Sequence, residues 1–194
     1  MEESYKIVYE GGSGELTEKK SRFIATVVPV KSEEEALLFI EAQKKKYWDA
    51  RHNCYAYVLG KNNEIMRFSD DGEPSGTAGK PMLDVLLGAG VHDAAVVVTR
   101  YFGGVLLGTG GLVRAYSHCT AKGLESSGIV EKQPGREYLV RTDYNGVGKL
   151  QYLAAQLGLT IEDTEYTEAV AMKLLVALPD CERFIKKVTE ATNG

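Results

Sequence analysis

Three acidic residues lie close together in a polar, glycine-rich segment of the chain: Asp70, Asp71 and Glu73. Their carboxylates could bind a hard cation, which prefers several oxygen ligands, or could work as an acid/base pair. The segment is not a phosphate-binding P-loop, because Pro74 occupies the position of that motif's first glycine and Pro81 that of its Ser or Thr. The alternative is a structural role, in which the two prolines and the glycines form a rigid connection.

A second candidate group ends the apolar strand predicted at 94–101. Arg100 could clamp a carboxylate or a phosphate through its planar guanidinium, and α/β sheets often bind ligands at the carboxyl ends of their strands. Tyr101 and Phe102 could stack on a base or pack on the core. For Arg100 the alternative is a structural salt bridge.

A third group opens a predicted helix with the sequence LGTGGLVR at 107–114. A glycine loop at a helix start exposes free N–H groups at the positive end of the helix dipole, where anions bind. Thr109 is expected to cap this helix, and Arg114 adds a positive charge. The loop is not a dinucleotide-binding fingerprint, because Val113 stands at the third glycine position. Ordinary capping with close helix–sheet packing is the alternative.

The histidines and cysteines are weaker candidates. His52 and Cys54 are two residues apart, so on a strand they face one side and could form half a metal site or a Cys/His dyad. His118 and Cys119 are neighbours on a helix and do not face each other. The three cysteines are far apart and form no Cys-x-x-Cys motif, which indicates neither a disulfide framework nor a zinc site. We expect no bound metal and no cofactor.

The hydrophobic pattern predicts the elements that position these residues. In the first part of the chain it predicts strands at 4–9, 22–30, 51–59, 63–68 and 94–101, and helices starting at Ser32, at Pro81 and after the glycine loop. Ser32 and Glu35 form a capping box. Gly128 is expected to end the third helix.

After Gly128 the pattern restarts in the order β-α-β-β-α, with the first helix ending at Gly158 and the second capped by Asp180. A ferredoxin-like domain needs one more strand than this order supplies, so either the last strand is supplied otherwise or this small ferredoxin-like domain lacks it. The polar Pro-Gly segment at 131–135 predicts a boundary there, with domains at 1–130 and 135–194.

The composition and the net charge restrict the classes of function that this chain could have. The net charge is −4, and residues 1–127 and 128–194 each carry −2, so no basic half indicates a nucleic-acid partner. The amino terminus is acidic, without the apolar stretch of a signal peptide, and no apolar run reaches the roughly 20 residues of a membrane span. The chain is therefore expected to be cytoplasmic and away from membranes. Ten of the 21 glycines lie between Gly72 and Gly111, as in a backbone that turns tightly or approaches something closely.

These motifs together resemble those of the IMPACT/YigZ family. They are RHNCYA at 51–56, DGEPSGTAG at 71–79, VTRYFGG at 98–104 and LGTGGLVRAY at 107–116. They are long and occur in order, and the resemblance covers roughly residues 20–127. The carboxyl-terminal part looks like the small domain of the bacterial two-domain members.

The resemblance implies an α+β chain of two domains. The first would have the fold of the second domain of a small-subunit ribosomal protein, with a left-handed βαβ crossover. The second would resemble the ferredoxin-like domains of elongation factor G. Eukaryotic relatives restrain a translation-controlling stress kinase by competing for its ribosome-bound activator, whereas bacterial members have no settled activity. The eukaryotic amino-terminal partner-binding module is expected to be absent here.

We therefore expect a non-catalytic, translation-associated or stress-related factor that binds RNA, the ribosome or a ribosome-bound protein, with a monomer favoured. The charge balance predicts weak, salt-sensitive RNA binding. The alternative is a phosphate- or nucleotide-binding enzyme in which Asp71 and Glu73 hold a metal or act as base. The residues expected to contact a partner or an anion are Arg51, His52, Asp71, Glu73, Thr77, Arg100, Tyr101, Gly108, Thr109, Gly110, Gly111, Arg114 and Tyr116.

Overall fold

The computed structural model describes residues 4–192 and divides them into two units. The larger unit runs from Tyr5 to Lys132, and the smaller unit begins at Gln133 and includes Ser4. Both units mix helices and strands, which confirms the α+β prediction. No helix within the described residues is long and apolar enough to cross a lipid bilayer.

The larger unit contains eight strands and three helices. They are β1 (Tyr5–Glu10), β2 (Gly12–Glu18), β3 (Ser21–Pro29), α1 (Glu33–Lys46), β4 (His52–Leu59), β5 (Ile65–Ser69), α2 (Gly79–Gly88), β6 (Val91–His92), β7 (Ala94–Tyr101), α3 (Thr109–Glu125) and β8 (Gly128–Lys132). Five strands form an antiparallel sheet in the order β2-β3-β7-β4-β5. A second, three-stranded sheet has the order β6-β1-β8.

Strand β7 is the centre of the five-stranded sheet, and both of its faces are covered. Ala94, Val96 and Val98 belong to a core shared with α2 and α3. Ala95 and Val97 belong to a second core shared with α1. A strand buried on both faces needs a continuous apolar run rather than an alternating one, and this explains why its bounds were predicted correctly.

The register of β7 places the site residues next to each other. Arg100 lies opposite Phe23 on β3 and opposite His52 on β4. Residues separated by 48 and 77 positions in the sequence are thereby brought side by side near one end of the sheet. The connection from β3 through α1 to β4 spans β7, and its left-handedness stays a prediction.

Three strands were not predicted, namely β2, the two-residue β6 and β8. Strand β2 carries Gly12 and Gly14, and a Cβ on Gly14 would lie 2.6 Å from the Cβ of Lys122 on α3. Close packing of the helix, not strand propensity, selects these glycines. The prediction that Gly128 ends α3 is wrong. Helix α3 ends at Glu125, and Gly128 starts β8, where it pairs with Glu10 on β1.

The helix starts are partly as predicted. The Ser32 hydroxyl accepts a hydrogen bond from the Glu35 N–H at 3.2 Å, and the Glu35 carboxylate accepts from the N–H of Lys31 rather than from that of Ser32. The prediction that Thr109 caps α3 is wrong, since Gly108 occupies the cap with φ of 74° and no side chain caps this end. Gly108 takes a positive φ that a threonine would adopt only with strain.

The smaller unit is a three-stranded antiparallel sheet with two helices. It consists of β9 (Gly135–Thr142), α4 (Val147–Leu157), β10 (Thr160–Tyr166), β11 (Val170–Ala177), a 3₁₀ turn (Leu178–Asp180) and α5 (Cys181–Thr192). The order β10-β11-β9 is that of a ferredoxin-like sheet in which the fourth strand is not among the described residues. Gly158 ends α4 in the left-handed conformation, as predicted.

The close approach of α2 to β5 gives a first prediction. A Cβ on Gly79 would lie 2.7 Å from the carbonyl oxygen of Ser69, whereas a Cβ on Gly88, at the other end of the same helix, meets nothing within 4 Å. We expect Gly79→Ala to lower the free energy of unfolding by about 1–3 kcal/mol, because backbone atoms must shift. We expect Gly88→Ala to change it by less than about 0.5 kcal/mol. Urea denaturation measures both, and equal effects would contradict the packing argument.

Candidate functional site

The larger unit has an open cleft between the segment that follows β5 and the start of α3, with a volume of about 480 Å³. Its lining combines charged, polar and apolar residues, namely Arg51, His52, Gly72, Glu73, Pro74, Arg100, Phe102, Leu106, Leu107, Gly108, Thr109 and Leu112. Clefts of about 300–1,000 Å³ that combine apolar walls with a few polar groups are typical of binding sites.

A buried ion pair forms one wall of the cleft. Oε1 of Glu73 accepts hydrogen bonds from Nη1 of Arg100 at 2.6 Å and from the hydroxyl of Tyr116 at 2.8 Å. The Arg100 and Glu73 side chains are only 5% and 3% exposed. Nη2 of Arg100 also donates to the hydroxyl of Ser21 at 3.3 Å. These contacts link β3, β7 and α3 to the segment that carries Asp70, Asp71 and Glu73 (the acidic segment).

The hydroxyl of Tyr116 is held in its protonated form. Burial of this side chain, with a further contribution from the neighbouring Cys54, raises the pKa of Tyr116 far above its ordinary value. A protonated hydroxyl is the form that can donate to the Glu73 carboxylate. Tyr116 therefore stabilises the charged carboxylate rather than reacting in its own right.

Aromatic rings surround the guanidinium of Arg100. Its Cζ lies 5.5 Å from the ring centroid of Phe23 and 5.6 Å from that of Phe102. Its Nε has no hydrogen-bond partner among the described residues. On the exposed side, the Cζ of Arg51 lies 5.7 Å from the Phe102 ring. Phe102 is thus within cation–π distance of one buried and one exposed guanidinium.

His52 connects the sheet to the acidic segment. Its Nδ1 lies 2.8 Å from the carbonyl oxygen of Asp71. Because a carbonyl only accepts hydrogen bonds, Nδ1 carries the proton and Nε2 is an acceptor in the neutral ring. Nε2 lies 3.7 Å from Oε2 of Glu73, so a protonated ring would add a second positive charge beside this carboxylate. In both forms His52 holds the segment against β4.

The aspartates of the acidic segment already have partners within the protein. Asp70 accepts three backbone hydrogen bonds at 2.8–3.0 Å, from the N–H groups of Gly76, Ala78 and Gly79. Asp71 accepts from the N–H of Asn53 at 2.7 Å and pairs with Nζ of Lys44 at 3.0 Å. Among residues 4–192 no three His, Cys, Asp or Glu side chains are grouped to hold a metal ion. The contacts match the structural interpretation of this segment.

The cysteines do not form a dyad with histidine. Cys54 is fully buried, and its thiol donates to the carbonyl of Asp70 at 3.0 Å. His52 instead contacts the carbonyl of Asp71. Burial raises the pKa of the Cys54 thiol far above its ordinary value and that of Cys119 to about 12. Both thiols stay protonated at neutral pH, which is unsuitable for a nucleophile.

The structure brings only part of the predicted site together. Six of the predicted contact residues line the cleft, namely Arg51, His52, Glu73, Arg100, Gly108 and Thr109. Tyr116 contacts Glu73 beside them. The wall residues Leu106, Leu107 and Leu112 were not predicted. The apolar run at 105–107, which continues neither a strand nor a helix pattern, was the available signal.

The other predicted residues make different contacts. Thr77 is buried and donates to the carbonyl of Pro74 at 2.6 Å, and the hydroxyl of Tyr101 donates to Asp49 at 2.9 Å. Asp71 faces Lys44, as described above. Gly110 and Gly111 lie in the first turn of α3, and Arg114 is exposed on its second turn, where Nη1 lies 3.5 Å from the position of a Cβ on Gly110.

Sequence comparison covers most of the chain with two family patterns. The Impact N-terminal domain matches residues 19–124, and a domain of unknown function, DUF1949, matches residues 140–194. The first pattern contains every residue that lines the cleft.

Individual relatives match along nearly the whole chain. IMPACT family member YvyE of Bacillus subtilis is 43% identical over 100% of this chain and 89% of its own length. IMPACT family member YigZ of Escherichia coli is 38% identical over 91% of this chain and 87% of its own. A solved crystal structure described as a hypothetical protein is 35% identical, with a TM-score of 0.66, covering 100% of this chain and 95% of that one.

The ion pair in the cleft wall gives a second prediction. Glu73→Ala leaves the buried Arg100 guanidinium without its carboxylate, and we expect the free energy of unfolding to fall by about 3–5 kcal/mol. Tyr116→Phe removes one hydrogen bond and keeps the ion pair, so we expect a loss of about 1 kcal/mol. Urea denaturation of both variants tests this order. A larger loss in Tyr116→Phe than in Glu73→Ala would show that the charge pair is not the main contact.

The buried thiols give a third prediction. At pH 8 we expect Cys54 and Cys119 in the folded protein to react with iodoacetamide at least about a hundredfold more slowly than in urea-unfolded chain, because burial keeps both thiols protonated. Mass spectrometry of digested samples locates the label. Rapid labelling of Cys54 in the folded protein would instead indicate activation by His52.

Proposed function

Because this chain belongs to the IMPACT family, we propose that it acts as a non-catalytic, translation-associated regulatory factor that binds its partner through the cleft. The partners considered are RNA, the ribosome and a ribosome-bound protein, and the place of action is the cytoplasm. Family membership supports a regulatory role in translation. The cleft supports a binding role, because it is open and carries a positive charge at its mouth.

One observation carries the binding role. The guanidinium of Arg51 lies over the exposed ring of Phe102 beside the cleft, and Arg51 has no carboxylate partner among the described residues. Arg100, by contrast, forms an ion pair with the carboxylate of Glu73. An exposed, unpaired arginine supported by an aromatic ring is a typical contact residue of interfaces.

The contacts of the titratable groups support a non-catalytic role. A catalytic acid or base must reach the substrate, yet the carboxylates of Asp71 and Glu73 are engaged by Asn53, Arg100 and other protein groups. The nucleotide-binding enzyme considered as an alternative needs these carboxylates for a metal or as base. The geometry therefore favours binding over catalysis.

Ribosome co-sedimentation at low salt tests the proposal and is the fourth prediction. We expect the purified chain to sediment with ribosomes and to dissociate as salt rises from about 50 to about 200 mM. Arg51→Ala should lower the bound fraction about fivefold or more, because it removes an exposed cation at the cleft without breaking an ion pair. Arg100→Ala is unsuitable, because it would leave the buried Glu73 carboxylate without its cation.

A matched control separates the cleft from general charge effects. Arg183→Ala removes an exposed arginine of α5 in the smaller unit, and we expect it to bind as the unchanged chain does. Absence of co-sedimentation at low salt, or equal losses in the Arg51 and Arg183 variants, would contradict the proposed role of the cleft.

A further inference from the structure

We propose that the cleft binds a segment of a partner protein that presents an aliphatic side chain next to a carboxylate. This inference rests on the proposed function, because it selects a protein from the partners named there. Three features of the cleft support it, namely its apolar surface, the charges at its mouth and the small share of its wall that could stack on a nucleotide base.

An exposed apolar surface continues from the cleft onto the loop between β7 and α3. Leu106 is 81% exposed, and Phe102 and Val105 are 41% and 40% exposed. Inside the cleft, Leu107 and Leu112 continue this surface and are buried. Contiguous exposed apolar residues beside a cleft mark an interaction site, because covering them removes apolar surface from water.

Two arginines at this end of the unit carry exposed positive charges. Arg51 and Arg114 are exposed, and neither has a carboxylate partner among the residues the structure describes. The acidic side chains of this region already have partners, since Asp71 pairs with Lys44, Glu73 pairs with Arg100, and Asp49 accepts a hydrogen bond from the hydroxyl of Tyr101. The start of α3, which no side chain caps, adds partial positive charge. Charge complementarity therefore requires an anionic group on the partner.

The wall of the cleft fits an aliphatic side chain better than a base. Four lining residues are aliphatic or proline, namely Pro74, Leu106, Leu107 and Leu112. The two rings of the lining are those of His52, whose side chain is 12% exposed, and Phe102, whose ring lies within cation–π distance of two arginines. Binding of single-stranded RNA relies on open aromatic faces and on positive grooves, whereas this chain has a net charge of −4.

Titration of the full ¹⁵N-labelled chain followed by NMR tests the inference. The probes are a short peptide that ends in Asp-Leu-Leu with a free carboxylate, the same peptide amidated at its end, a peptide with both leucines replaced by serine, and an oligouridine of equal charge. We expect the two leucine peptides to shift the amide signals of residues 105–112 at concentrations up to about 1 mM, and the serine peptide to shift them much less. Comparing the free and amidated peptides shows whether the terminal carboxylate or the aspartate is bound.

Exposed-residue variants identify the contacts, and this is the fifth prediction. Leu106→Ala and Arg51→Ala should each raise the dissociation constant of the leucine peptide at least about fivefold. Leu38→Ala on α1, where Leu38 is 60% exposed, and Arg183→Ala are matched controls that should leave it unchanged. Because all four side chains are exposed, the spectra of the free variants should keep the native signal pattern.

Three results would overturn the inference: no shifts at residues 105–112 with either leucine peptide, tighter binding of oligouridine than of peptide, or unchanged affinity in the Leu106 and Arg51 variants. The proposed function is tested by a different experiment, so the two can fail independently. Ribosome co-sedimentation without peptide binding leaves the translation role intact and rejects this ligand class. Peptide binding without co-sedimentation supports the ligand class and rejects the role on ribosomes.

Discussion

The ion pair between Glu73 and Arg100 joins the elements that form the cleft of the larger unit. Both charges are removed from water, so each must be neutralised and hydrogen-bonded within the protein. Glu73 belongs to the acidic segment and Arg100 to the central strand. Tyr116 on α3 donates to Glu73, and Ser21 on β3 accepts from Arg100. One carboxylate therefore fixes the relative positions of the walls of the cleft, whose shape depends on this pair.

The acidic segment shows how a group of charged residues can be mainly structural. Asp70 replaces the missing side-chain cap at the start of α2, since it accepts from Ala78 and Gly79 at that end of the helix. Asp71 fixes the start of β4 through Asn53. Carboxylates placed this way order a segment that has almost no apolar side chains with which to pack.

Elements with a strong hydrophobic pattern could be predicted from the sequence, β7 from its continuous apolar run and α4 from its helical periodicity. Strand β2 could not, because its glycines are chosen by the approach of α3, a contact between distant parts of the chain. The same limit applies to the cleft. Arg100 and Glu73 were recognised as candidates, but their pairing depends on strand register, and the exposed Leu106 has no periodic pattern that would reveal it.

The central position of β7 also determines when the larger unit can fold during synthesis. Strands β3 and β4 pair with β7 and not with each other, and β1 pairs with β8 near the end of the unit. A nascent chain that has only reached residue 90 therefore has its first strands made but their main partner still missing. Such early strands expose unpaired edges, so the five-stranded sheet can be completed only after β7 has been synthesised.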